Sequence, residues 1–320
     1  MFAALSALPL GFTAAWVQNL FVFTLMYAAL ASAWNIVGGY SGYISLGHAA
    51  FFGVGAYAVG IVFTHWSIGA GYRPFYVLPL VGTGVAALSL PVGWIAYRTR
   101  AATFAIVTIT LLFVAQQLAY NLRSLTGGSQ GIAIPPPSFP VSTYDEPFYY
   151  AMLGVLALAM LASWFVRGSK LGLALVAIRD DEDRARGLGV QTSFAKLAAF
   201  SVSAGLVAMA GGVWAYYIGF IYPQFAVDPL VTIGMVLMVY LGGRGTLWGP
   251  VLGAFILVPA QQYLAYRLGA SELYLVGYSA VFLVVMLLLP RGILPSLSDR
   301  ARQIRVRRLP PGRHEEVVAS

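Results

Sequence analysis

Four polar side chains break into an otherwise apolar stretch near the N-terminus: Asn35, Ser41, Ser45 and His48, set around Gly38, Gly39, Gly42 and Gly47. The glycines make a poor helix, so the chain is expected to break here between two apolar runs. Polar groups at bilayer depth either line a solute path or satisfy the backbone that such a break leaves open; both readings stand. His48 is not expected to bind metal, because His65 and His314 lack ligand spacing and the chain has no cysteine. A second segment, Gly242-Gly243 through Leu247-Trp248-Gly249-Pro250, repeats the pattern of Gly-Gly, break and new apolar run. Paired Gly-broken segments point to internal repeats in transporters, with chance as the rival explanation.

The densest charge cluster is Arg179-Asp180-Asp181-Glu182-Asp183-Arg184-Ala185-Arg186, followed by Gly187-Leu188-Gly189. It predicts one short helix with acids in the first turn and arginines in the last, matching the helix dipole. Asp180–Arg184 and Glu182–Arg186 are expected as i,i+4 pairs, and Gly187 or Gly189 as the stop. A solvated loop is the bland explanation. Docking to a cytoplasmic partner is the functional one, with Ala185 and Leu188 as apolar contacts and the charges setting register. A further loop carries Thr126-Gly127-Gly128-Ser129-Gln130-Gly131 before Pro135-Pro136-Pro137. Its glycines and prolines predict a shaped turn that either touches a substrate or an external partner or simply connects.

Missing chemistry narrows the choice. There is no P-loop, since Gly168-Ser169-Lys170 lacks the glycine spacing. No carboxylate lies deep in an apolar run; Asp228 and Glu272 sit at ends. Proton-coupled carriers usually need an intramembrane ionisable group. A polytopic membrane enzyme would cluster His, Asp or Glu at one face, and the one acidic cluster here is interleaved with arginines. The chain is therefore not expected to be an enzyme or to need a cofactor or metal. If it moves a solute uphill, another chain supplies the energy.

These residues need a membrane scaffold. The 320 residues are 59% hydrophobic and 9% charged, with mean hydropathy +0.79. Soluble domains carry about 25% charged residues, so soluble enzymes, nucleic-acid binders and disordered chains are poor readings. The net charge of +8 fits basic cytoplasmic loops rather than nucleic acid. An all-α polytopic protein is predicted, with runs at 14–34, 44–64, 76–97, 102–121, 148–166, 197–219, 229–242, 250–266 and 272–290. That gives about nine spans, or eight to ten, especially if 229–242 re-enters. Small residues at four-residue spacing, Ala204, Ala208 and Gly212 in one run and Ala56 and Gly60 in another, predict close helix packing.

Nine spans place all but Arg73, Arg123 and Arg267 of the 19 basic residues on one side. That side is the cytoplasm, and it holds the C-terminus. An odd count then puts the N-terminus outside. No basic residue precedes the first apolar run, so cleavage as a secretory signal is not expected. The expected division is a membrane domain, 1–295, containing a charged loop at 167–196, and a basic cytoplasmic tail, 296–320. The tail either binds anionic lipid or serves as a plain positive-inside anchor.

Taken together, Asn35 to Gly42 running into Ser45 to Phe51, Leu125 to Gly131, Ala177 to Glu182 with Leu188-Gly189, and Gly242-Gly243 through Gly253 resemble the permease subunits of branched-chain amino acid ABC importers, specifically the M-type subunit. The resemblance runs from Tyr27 to Pro290 and leaves out the tail. It implies an ABC-importer permease fold in the bacterial inner membrane, with Arg179 to Gly189 as a coupling helix. Implied partners are two cytoplasmic ABC ATPases, a homologous second permease, an extracytoplasmic substrate-binding protein and the lipid bilayer. The family motifs mark Asn35, Ser41, Ser45, Gly47 and His48 as candidates for the path. Arg179, Asp180, Asp181, Glu182, Arg184, Ala185, Leu188 and Gly189 are marked for coupling, and Thr126, Gly127, Gly128 and Gln130 for the outward loop. Leucine, isoleucine or valine is the expected cargo, with urea or a short amide next. A stand-alone channel stays open as a different class; it would have no need of the 179–189 segment.

Overall fold

The structure, a computed structural model, describes residue 5, residues 14–66 and 69–268, residues 276, 279, 280, 283 and 287, and residues 292–297. The expected run at 272–290, apart from those isolated positions, and the tail from 298 onward lie outside the described residues. Among the described residues, ten helices of six residues or more carry the fold: α1 (Ala15–Gly38), α2 (His48–Trp66), α3 (Arg73–Ala96), α4 (Ala101–Asn121), α5 (Asp145–Gly168), α6 (Lys170–Asp180), α7 (Glu182–Gly187), α8 (Thr192–Ile218), α9 (Pro229–Gly242) and α10 (Gly249–Leu268). Six segments among the described residues are long and apolar enough to cross a bilayer: α1, α3, α4, α5, α8 and the run Pro223–Gly242 that ends in α9. Every expected run from 14 to 266 contains a helix, but a count of nine crossings is not reached here.

Local sequence sets the helix ends. Pro229 opens α9, and the Asp228 carboxylate before it accepts a hydrogen bond from the Leu230 N–H at 2.8 Å. Gly219 closes α8 at φ +75°, a conformation that favours glycine. The expected start at 44 moves to His48, because residues 44–47 are held out of the helix by contacts to α4.

α8 is the centre, packed against α1, α2, α3 and α5. The small-residue stripe makes this possible. A Cβ on Gly55 would fall 2.0 Å from the Ala208 carbonyl oxygen, and one on Gly211 equally close to that of Phe52. Only glycine allows α2 and α8 to approach so closely, and this packing is what holds helices together in lipid. α4 packs lightly, against α2 and α3.

The bundle has two distinct ends. One gathers residues 39–47, the 97–100 turn, α6 and α7, and residues 243–248. The other gathers residues 69–72, the 122–144 loop and residues 219–228. There, strands β1 (Ile132–Ala133) and β2 (Phe220–Ile221) pair antiparallel, with Ile132 opposite Ile221, tying the loop to the end of α8. Nine of the twelve described Lys and Arg residues lie at the first end.

Candidate functional site: the paired breaks and the charged helix

The two Gly-broken segments meet. The Asn35 amide donates to the Thr246 carbonyl at 2.9 Å and accepts from the Gly245 N–H at 3.0 Å. Arg244 Nε donates to the Gly38 carbonyl at 3.1 Å, and Arg179 Nη1 reaches the Gly39 carbonyl at 3.5 Å. Gly245, at φ +74°, sits where a Cβ would press on Arg179 and on the Gly39 carbonyl. The breaks thus supply hydrogen-bond partners to each other that a helix would have supplied internally.

The first break also runs deep. His48 Nδ1 lies 2.8 Å from Ser45 Oγ, and Nε2 lies 2.9 Å from Ser203 Oγ. Ser203 Oγ donates its single hydrogen to the Ala33 carbonyl at 2.7 Å, so it accepts from His48, which fixes the Nε2–H tautomer. Ser203 is eleven residues, about 16 Å, into α8. α2 therefore starts well inside the bundle, its Ala49 N–H capped by Thr232 Oγ1 at 2.8 Å. Ser41 Oγ donates to the Val37 carbonyl at 2.8 Å. Gly47 lies against α4, where a Cβ would come within 2.4 Å of the Thr108 carbonyl oxygen. Asn35, Ser41, Ser45 and His48 are all buried, and each finds its polar partners inside the chain.

The charged segment is two helices rather than one. Asp181 leaves the helical region (φ −162°, ψ 108°) and its carboxylate caps α7, accepting from the Arg184 N–H at 3.0 Å. An aspartate flanked by further acids favours a cap over a helix interior, which explains the break. Glu182–Arg186 forms as expected at 3.1 Å, but Arg184 pairs with Asp181 at 2.9 Å and Asp180 lies near Arg179 at 3.7 Å; the Asp180–Arg184 pair is absent. Ala185 is 2% exposed and faces its own bundle, so it offers no surface to a partner. Leu188 is 86% exposed, and Gly189 beside it adopts φ +85° with open space around it.

α7 is bolted to the bundle by residues that composition alone did not single out. Lys196 Nζ, on a side chain 1% exposed, donates to Glu182 Oε1 at 2.7 Å and to the Tyr43 hydroxyl at 3.2 Å. Tyr43 in turn donates to Glu182 Oε2. The ammonium also lies 4.4 Å from the Tyr43 ring centre and 5.3 Å from that of Tyr97. Burial raises the Glu182 pKa. The hydrogen bonds from Lys196 and Tyr43 and the charges of Lys196 and Arg186 outweigh that and hold the carboxyl below its usual range. Three elements, α7, the first break and α8, are thereby joined at one ion pair. The sequence held one signal: Lys196 is a lone cation in the first turns of an apolar helix, close after the acidic cluster.

At the opposite end, Thr126 is buried and its hydroxyl donates to the Ala119 carbonyl at 2.6 Å, while Gly127 and Gly128 turn the chain at φ +70° and +60°. Gln130 is exposed. Among the described residues, no group of His, Cys, Asp and Glu is placed to hold a metal.

The chain matches the family described as "Branched-chain amino acid transport system / permease component" over residues 16–290. It is 30% identical over 301 residues to the high-affinity branched-chain amino acid transport system permease protein LivM of Salmonella typhimurium, covering 85% of this chain and 68% of that one. To LivH of Escherichia coli it is 26% identical over 283 residues, 84% of this chain and 91% of the relative. A 116-residue stretch is 37% identical to the autoinducer 2 import system permease protein LsrC of Salmonella paratyphi B, covering 34% and 33% of the two chains. No solved structure matches it. These relatives are transport permeases, not enzymes. With its helix–break–helix pairs and membrane-length helices, this chain belongs to the branched-chain amino acid ABC transporter permease family.

Proposed function

We propose that the chain is the M-type membrane subunit of an ATP-driven importer that carries leucine, isoleucine or valine across the bacterial inner membrane. The observation that carries this reading is α7. Its end leaves Leu188 open to a partner, while Glu182 at its start is locked by Lys196 and Tyr43 to the first break. A stand-alone channel has no use for an exposed element wired to its interior. A permease driven by a separate ATPase needs one.

In this reading the importer has two cytoplasmic ABC ATPases, Arg179 to Gly189 sits in a groove of one of them, and closure of the ATPases moves α7. The Glu182–Lys196–Tyr43 junction passes that motion to residues 39–47 and α8. A homologous second permease pairs with the chain, and an extracytoplasmic binding protein meets the loop containing Thr126 to Gln130. The basic end of the bundle and the C-terminus face the cytoplasm. Asn35, Ser41, Ser45, Gly47 and His48 act as the movable frame of the path, since motion of the break re-sorts their bonds.

Affinity capture from membranes tests the reading. Two ATPases and a second permease should co-purify, and Leu188→Asp should lower the recovery of ATPase while keeping the second permease. Leu188 is the better position than Gly189, whose left-handed backbone strains any replacement. ATP-independent uptake by the chain alone sinks the proposal, and ATP-driven uptake of urea or a short amide instead of leucine corrects the cargo.

A further inference from the structure

Between α1, α2, α8, α9 and α10 lies a half-open cavity of about 290 Å³, bordered by Phe52, Trp214, Phe225, Val231, Gln261 and Gln262. Val231 lies near the start of α9, and Trp214 and Gln262 near the ends of α8 and α10. The cavity therefore occupies the half of the bundle nearest the 122–144 loop, away from α7. Its lining is apolar and aromatic with two amides. Among the described residues the half-buried Gln261 and Gln262 show no side-chain hydrogen bond, and Trp214 makes a ring contact to Phe52 at 5.3 Å. An apolar, aromatic pocket with a few convergent polar groups is the usual form of a small-molecule site.

We infer that this cavity is where the cargo rests after entering the bundle, and that it takes one free α-amino acid with a branched aliphatic side chain. The inference rests on the proposed function and adds the place and the contacts. A volume of about 290 Å³ lies at the small end of ligand pockets and suits one small solute. Each glutamine amide carries two donors and an acceptor. Together they can hold a carboxylate through N–H groups and an ammonium through the carbonyl oxygens. The Phe52, Trp214 and Phe225 rings supply apolar wall for the aliphatic chain.

The test uses the complete transporter in proteoliposomes and radiolabelled leucine. Gln261→Leu and Gln262→Leu should each raise the KM for leucine about tenfold, the size expected for one lost hydrogen bond to a charged group. The maximal rate and the ATPase activity should change less than twofold. A second measurement does not depend on those variants. The chain has no cysteine, so Val231→Cys places one thiol at the cavity, and leucine should slow its modification by a membrane-permeant maleimide. Wild-type uptake is the control. If the wild type fails to import leucine with ATP, the proposed function falls. If it does import leucine, unchanged KM values, or labelling that leucine does not slow, overturn the cavity alone. A thiol that never labels because lipid fills the space overturns it equally.

Discussion

Two sets of polar side chains on the helices of this protein differ in burial and in bonding. Around the breaks, Asn35, His48 and Ser203 use their polar atoms on partners within the chain. Around the cavity in the opposite half, the half-buried Gln261 and Gln262 make no side-chain hydrogen bond among the described residues. The first set holds an irregular backbone together; the second is free to hold something else. A polar residue in a membrane helix is thus not a site because it is polar. What matters is whether the fold already satisfies it.

The comparison can be broken experimentally, the largest expected effect being at the breaks. Asn35→Leu leaves the Gly245 N–H and the Thr246 carbonyl unpaired, at about 1–3 kcal/mol each. It should sharply lower the melting midpoint of the purified protein; a midpoint within 2 °C of wild type, roughly a fraction of a kcal/mol, would show the clamp to be idle. Next is Glu182→Ala, which strands the buried Lys196 ammonium. Removing one partner of a buried pair costs about 3–5 kcal/mol. Lys196→Met should cost less, because Glu182 is 20% exposed and keeps Arg186 and Tyr43. Equal losses from the two variants would contradict this account of the junction. Both should also lower leucine carried per ATP hydrolysed if α7 transmits motion.

At the cavity the expectation reverses. Gln261→Leu should shift stability by less than about 0.5 kcal/mol, while altering leucine uptake. A large fall in melting midpoint would place Gln261 with the scaffold and erase the contrast. The smallest effect is that of pH. Glu182 titrates below the usual carboxylate range, so its contribution is present above the unfolded-state value and is lost only as pH falls through the depressed one. The melting difference between wild type and Glu182→Gln should stay constant from about pH 7 to pH 5. A difference that shrinks across that window would mean the carboxyl is not held down.

The sequence by itself determined a good deal. Apolar runs located the helices, because a membrane helix satisfies its own backbone and needs only length and hydrophobicity. Glycines located both breaks, small-residue spacing marked the α2–α8 contact, and charge sign separated the two ends. It read Arg179 to Arg186 as one short helix, whereas α6 ends at Asp180 and α7 starts at Glu182, since the acids that favour a helix start also make Asp181 a cap in mid-run. Only the tertiary structure decided which polar groups were already bonded. Asn35 finds its partners 210 and 211 residues away, His48 finds Ser203 at 155, and Tyr43 meets Lys196 at 153. Helical periodicity carries information over a few turns. Pairing across a bundle depends on which helices pack side by side, and that is settled by the packing of the whole chain.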